Sequence, residues 1–120
     1  MTLFTANGLL AGKTRGCMRG IMAPYPDYIA QAYQEWYKTQ LFNFPAETDF
    51  KLCWLLNVPE LYARRAPGNT CMSAIKAGCR GSIENPVNDS KGCGGVMRVA
   101  PVGLYLGESQ MAGLAVDLVA

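Results

Sequence analysis

No histidine occurs among the 120 residues. That removes the usual proton acceptor beside a serine or cysteine nucleophile and excludes Ser-His-Asp chemistry by this polypeptide alone. Cysteine is present but badly spaced for metal. The five thiols, Cys17, Cys53, Cys71, Cys79 and Cys93, contain no Cys-x-x-Cys pair, so the common zinc sites are excluded. An odd count also argues for free thiols in a reducing compartment, and a cytoplasmic location is expected. No apolar run reaches the roughly 18 residues of a membrane span. The N-terminus lacks the basic start and small-residue cleavage pattern of a secretory signal, so no membrane association is expected. Charge of one sign is scarce as well. The net charge is +2, the basic residues are scattered, and no nucleic-acid partner is expected. Alternating strand patterns, repeats and low-complexity tracts are missing.

Half the residues are hydrophobic, enough for one globular domain over residues 1–120. The patterning is all-α. Leu3, Phe4, Ala6, Leu9 and Leu10 recur at helical spacing, with a stop expected at Gly12 and a loop over 13–26. Asp27 is placed to cap a second helix, whose inner face carries Ile29, Ala32, Tyr33, Trp36, Tyr37 and Leu41. Gln31, Gln34, Glu35 and Lys38 fall on its polar side. Trp54 is the expected core anchor of a short apolar run, and Pro59-Glu60-Leu61-Tyr62 suits a brief helix. Asn69 or Thr70 can cap a further helix that ends near Gly78. Pro101 should break the apolar stretch from Val96 to Leu106, and Ser109 can cap a last helix.

The most informative segment is Ser90-Lys91-Gly92-Cys93-Gly94-Gly95, followed at once by an apolar run. Backbone N–H groups without Cβ crowding, leading into a helix start, can cradle an anion such as a phosphate. Taken alone, the same glycines also suit an ordinary turn. Lys91 can add a point charge or face water. Arg98 can bind phosphate or hold the loop in shape. Cys93 serves better as a small residue in a tight loop than as a nucleophile, since no base accompanies it.

Two motifs in order, Arg64-Arg65-Ala66-Pro67-Gly68-Asn69-Thr70-Cys71-Met72-Ser73-Ala74 and Ser90-Lys91-Gly92-Cys93-Gly94-Gly95-Val96-Met97-Arg98-Val99-Ala100-Pro101, resemble the ADP-ribosylglycohydrolase family. The resemblance runs nearly the whole length. It implies an all-α partial orthogonal helical bundle, the central part of such a domain. It implies ADP-ribose or an ADP-ribosylated protein as partner, with Ser90, Lys91, Gly92, Cys93, Gly94 and Gly95 holding the phosphate and ribose portion. Cys93 departs from the asparagine of several members. The family works with paired magnesium ions, held by aspartate motifs that would precede Met1 and follow Ala120. No catalytic residue and no metal ligand is therefore assigned here, and tight magnesium binding is not expected. Of the acids present, only Glu47 and Asp49 are close in sequence, and both read as solvated surface groups. The chain alone is expected to be inactive. The alternative is a module that binds ADP-ribose or a nucleotide, or self-associates, without catalysis. Homo-oligomers through exposed apolar surface are expected in either case.

Overall fold

A computed structural model describes residues 1–47, 51–82 and 84–106. Two long helices, α1 (Thr2–Arg19) and α2 (Tyr25–Leu41), form the frame. Short 3-10 turns follow at Trp54–Asn57 and Pro59–Leu61, then α3 (Asn69–Lys76), α4 (Gly94–Arg98) and α5 (Ala100–Leu106). The described residues hold no strand, as the all-α pattern predicts.

Helix α1 does not stop at Gly12. It runs to Arg19 and ends on Gly20, whose φ of 66° is the left-handed conformation that glycine adopts without strain. Gly12 belongs to a row with Gly8 and Gly16, of which the first two face α2 and Gly16 faces the returning chain at Ile21 and Ala23. A Cβ on Gly8 would lie 3.1 Å from the Ile29 Cα, and one on Gly16 would lie 2.9 Å from the Ile21 carbonyl oxygen. The glycines are there for close chain approach, not for termination. The loop expected over 13–26 therefore shrinks to the few residues around Gly20–Pro24.

Helix α2 starts three residues earlier than expected, at Tyr25, with Pro26 in the first turn. Asp27 makes no capping hydrogen bond and instead sits inside that turn, where its charge complements the helix dipole. Most of the expected inner face is present: Ile29, Ala32, Tyr33 and Trp36 are buried against Phe4 and Leu9 of α1 and Tyr37 is half-buried, but Leu41, at the end of the helix beyond the reach of α1, is 48% exposed. Tyr33 reaches Thr5 across the helix pair, hydroxyl to hydroxyl, at 2.8 Å.

The next segment corrects two expectations. Trp54 is 64% exposed, while its neighbours Leu52, Cys53, Leu55 and Leu56 are buried. Three consecutive apolar residues in a 3-10 turn, Trp54, Leu55 and Leu56, cannot all face one way, and the bulky ring is the one left outside. Glu35 lies on no solvated face: it is 3% exposed. Its carboxylate accepts the backbone N–H groups of Leu52 and of Cys53, the latter at 2.8 Å. These charge-assisted bonds pin the 52–55 segment to α2. Burial, with the Glu35 carboxylate alongside, pushes the Cys53 thiol far above its ordinary range, so it stays protonated at neutral pH.

Helix α3 begins at Asn69 without a side-chain cap, after Gly68 at φ 83°, and the chain turns at Gly78 as expected. The break at Pro101 is present too: α4 ends at Arg98 and α5 restarts at Ala100. Val102 of α5 is completely buried in the α1–α2 core. The helix expected from Ser109 lies outside the described residues.

Candidate functional site

The crest from Ser90 to Gly95 lies on the rim of a cavity of about 860 Å³. Its walls come from the start of α1, the middle of α2, the entry to α3 and the first turn of α4. Ser90, Gly92, Cys93, Gly94 and Gly95 all line it, whereas Lys91 points elsewhere and is exposed. Ser90 through Cys93 are exposed, and Gly94 and Gly95 are half-buried. The crest is therefore open to a guest.

Local hydrogen bonds shape it. The Asn88 side-chain oxygen accepts the Ser90 amide at 2.9 Å, and the Ser90 hydroxyl accepts the Gly92 amide at 3.3 Å. The same hydroxyl lies 3.5 Å from Thr70 Oγ1, which brings the two sequence motifs side by side at the cavity mouth. The Gly92 amide is thus already engaged within the loop, which removes it from the set of donors expected to face a phosphate. The amides opening α4 have no intrahelical acceptor and remain as donors. At five residues, α4 is too short to add much macrodipole, so individual N–H groups matter more than the helix end as a whole.

Glycine is favoured at one crest position by contact. A Cβ on Gly94 would sit 3.0 Å from Cys71 Sγ, whereas one on Gly95 would meet nothing within 4 Å. Cys93 Sγ packs 3.7 Å from Met97 Sδ on its own helix and has no basic partner there. Arg98 and Cys71 line the cavity beside the crest. The Arg98 guanidinium lies 5.3 Å above the Tyr33 ring and donates to Cys71 Sγ at 3.5 Å. Deeper in, Gln34 donates to the Ile75 carbonyl oxygen at 2.8 Å, so α3 is tied to α2 beneath the cavity.

The ADP-ribosylglycohydrolase family model matches residues 1–120. The chain belongs to that family. A search of curated proteins and one of solved structures returned no match. In this member of the ADP-ribosylglycohydrolases, Gly68, Asn69 and Thr70 line the same cavity as Ser90 and Gly92 to Gly95. The donors among the described residues do not fit paired magnesium ions. Among the described residues no three cysteine or carboxylate groups gather closely enough to hold a metal. Glu35, the buried carboxylate, is occupied by two backbone amides. Magnesium needs several oxygen ligands on one ion, and that set is missing from the described residues. Asp49, Glu108 and Asp117 lie outside them.

Two features escaped the sequence reading. The contact between Cys71 and the crest had only the small size of Gly94 as its signal. The occupation of Gly92 by Ser90 is a local serine turn, for which the Ser-x-Gly spacing was a usable cue. No described helix is long and apolar enough to cross a membrane.

Proposed function

We propose that this chain holds the diphosphate-ribose portion of ADP-ribose in the cavity under the Ser90–Gly95 crest, as the substrate-binding part of an ADP-ribosylglycohydrolase. The observation that carries the reading is the open crest, with α4 amide donors, on the rim of a cavity of about 860 Å³. That volume falls within the range of small-molecule sites, roughly 300–1,000 Å³. Cys93, Gly94 and Gly95 offer backbone N–H groups to phosphate oxygens, Ser90 orients the loop, and Lys91 supplies a solvent-facing charge near the mouth. Family membership supports removal of ADP-ribose from a modified protein as the parent reaction. We propose further that the chain on its own binds ADP-ribose without hydrolysing it.

Calorimetry with ADP-ribose tests the binding claim. A dissociation constant below about 1 mM is expected, with ribose 5-phosphate weaker and adenosine weaker still. Absence of heat with ADP-ribose up to several times that concentration overturns it. Incubation with an ADP-ribosylated protein and magnesium tests the second claim: no release of ADP-ribose above the protein-free control is the expected outcome.

Self-association is favoured by a separate observation. Leu3, Leu10, Met18, Ile21 and Met22, on and just beyond α1, are all exposed apolar side chains. We propose that a second copy covers this surface. Light scattering should then give a mass above 13.0 kDa that rises with concentration, and Leu10→Glu should restore the monomer.

A further inference from the structure

We infer that Arg98 and Cys71 form a strut that sets the position of the Ser90–Gly95 crest over the cavity, so that ligand fit depends on two residues that act through the backbone. The inference rests on the binding reading above for its ligand, but its geometry stands independently. Helix α4 has five residues, too few to hold itself as an isolated helix. Its placement must come from what it rests on: the Thr2 hydroxyl of α1 donates to the Met97 carbonyl oxygen at 3.2 Å, and one sulfur meets the helix twice. At Gly94 the fit to Cys71 Sγ is close: a Cβ would lie 3.0 Å away and would have to displace the sulfur slightly. One turn later Arg98 donates to the same sulfur at 3.5 Å.

The third support is Tyr33. The guanidinium stacks 5.3 Å from its ring centroid, and the ring is buried and fixed by the Thr5 hydroxyl at 2.8 Å. A planar guanidinium can face a ring and direct a forked N–H at a sulfur together; an ammonium on a flexible stem cannot. Crest, α3 and α2 are thus joined through Arg98, Cys71 and Tyr33. Bulk at residue 71 would lift the crest, and loss of the fork would let α4 turn. Arg98 and Cys71 are positioning residues in this scheme. It makes Cys93, which rides on the crest, a reporter of crest position that needs no ligand.

The test uses the whole chain and three variants, Arg98→Lys, Cys71→Ser and Cys71→Leu. ADP-ribose affinity is measured by calorimetry, and the rate of Cys93 alkylation by N-ethylmaleimide is measured by peptide mass spectrometry. Cys71→Ser keeps a small acceptor and should stay within about twofold of the parent in both readouts. Arg98→Lys keeps the charge but loses the fork and the stack. It should weaken ADP-ribose by about tenfold or more, as small misplacements of a binding group do, and should change Cys93 alkylation severalfold. Cys71→Leu should do the same, and if it fails to fold, Arg98→Lys and Cys71→Ser still decide the matter.

Parent-like values for Arg98→Lys in both readouts overturn the strut. Weakened ADP-ribose with an unchanged Cys93 rate also overturns it, and makes Arg98 a direct ligand. If no form binds ADP-ribose while the Cys93 rates shift as stated, the strut stands and the ligand assignment falls.

Discussion

Gly8→Leu should lower the melting temperature by 10 °C or more, on the order of 2–3 kcal/mol of lost stability. The reason is contact with backbone, which cannot rotate away. A Cβ at residue 8 would stand 3.1 Å from the Ile29 Cα and 3.1 Å from the Tyr28 carbonyl oxygen, with the Ala32 Cβ at 3.2 Å. Alanine there sits near the limit, and its better helix propensity, about 0.5–1 kcal/mol, offsets part of the crowding. Leucine adds three more carbons in the same direction and must push α1 from α2. Separation would loosen the Phe4, Leu9, Ile29 and Ala32 contacts that the two helices share. Gly95→Ala is the contrasting case, because its Cβ would meet nothing within 4 Å. It should melt within a few degrees of the parent. Thermal unfolding followed by circular dichroism separates the two, and a Gly8→Leu protein that melts like Gly95→Ala would show the close crossing to be dispensable.

Glu35→Ala should cost about 3 kcal/mol or more. The substitution removes a carboxylate that accepts two adjacent backbone amides inside the protein. Each buried donor left without an acceptor costs about 1–3 kcal/mol, and the bonds lost were charge-assisted. Glu35→Gln keeps the shape and one acceptor oxygen, and should lose roughly half as much. Urea unfolding gives the stabilities. Thiol labelling gives a second, local reading. Cys53 sits at the hydrogen-bonded segment and is buried, so its alkylation in native buffer should rise sharply in Glu35→Ala and little in Glu35→Gln. Equal urea midpoints for the parent and Glu35→Ala would mean the two amides find other partners.

Sequence patterns reached the local features and missed the ones made by distant chain. The inner face of α2 from Ile29 to Tyr37, the turn at Gly78 and the interruption before Pro101 all follow from spacing or from a backbone restriction, and all are present, whereas Leu41 is exposed. Gly12 misled because a glycine in a helical pattern is compatible with a stop or a close crossing. The four-residue spacing of Gly8, Gly12 and Gly16 was the cue for crossing, since positions four apart share a helix face. Glu35 misled for a different reason. Its partners come from the amides of residues 52 and 53, and no pattern within α2 encodes them. Trp54 shows that size and hydrophobicity alone do not decide burial when a short turn offers only some inward positions. At the site, the glycine-rich crest and its neighbour motif were legible as wording. Their meeting through Ser90 and Thr70, and the seating of Gly94 on Cys71, required the fold.

Val102 gives the order of assembly a particular shape. Its side chain fills a place between helices that leave the ribosome some 60 residues before it does. Until α5 arrives, the first helix pair holds an unfilled notch lined by apolar groups, where nascent chains are prone to stick to one another. Closing so long a loop is slow compared with pairing neighbouring helices. Helper proteins that shield nascent apolar surface should therefore bind this polypeptide longest in the interval between completion of α2 and emergence of α5.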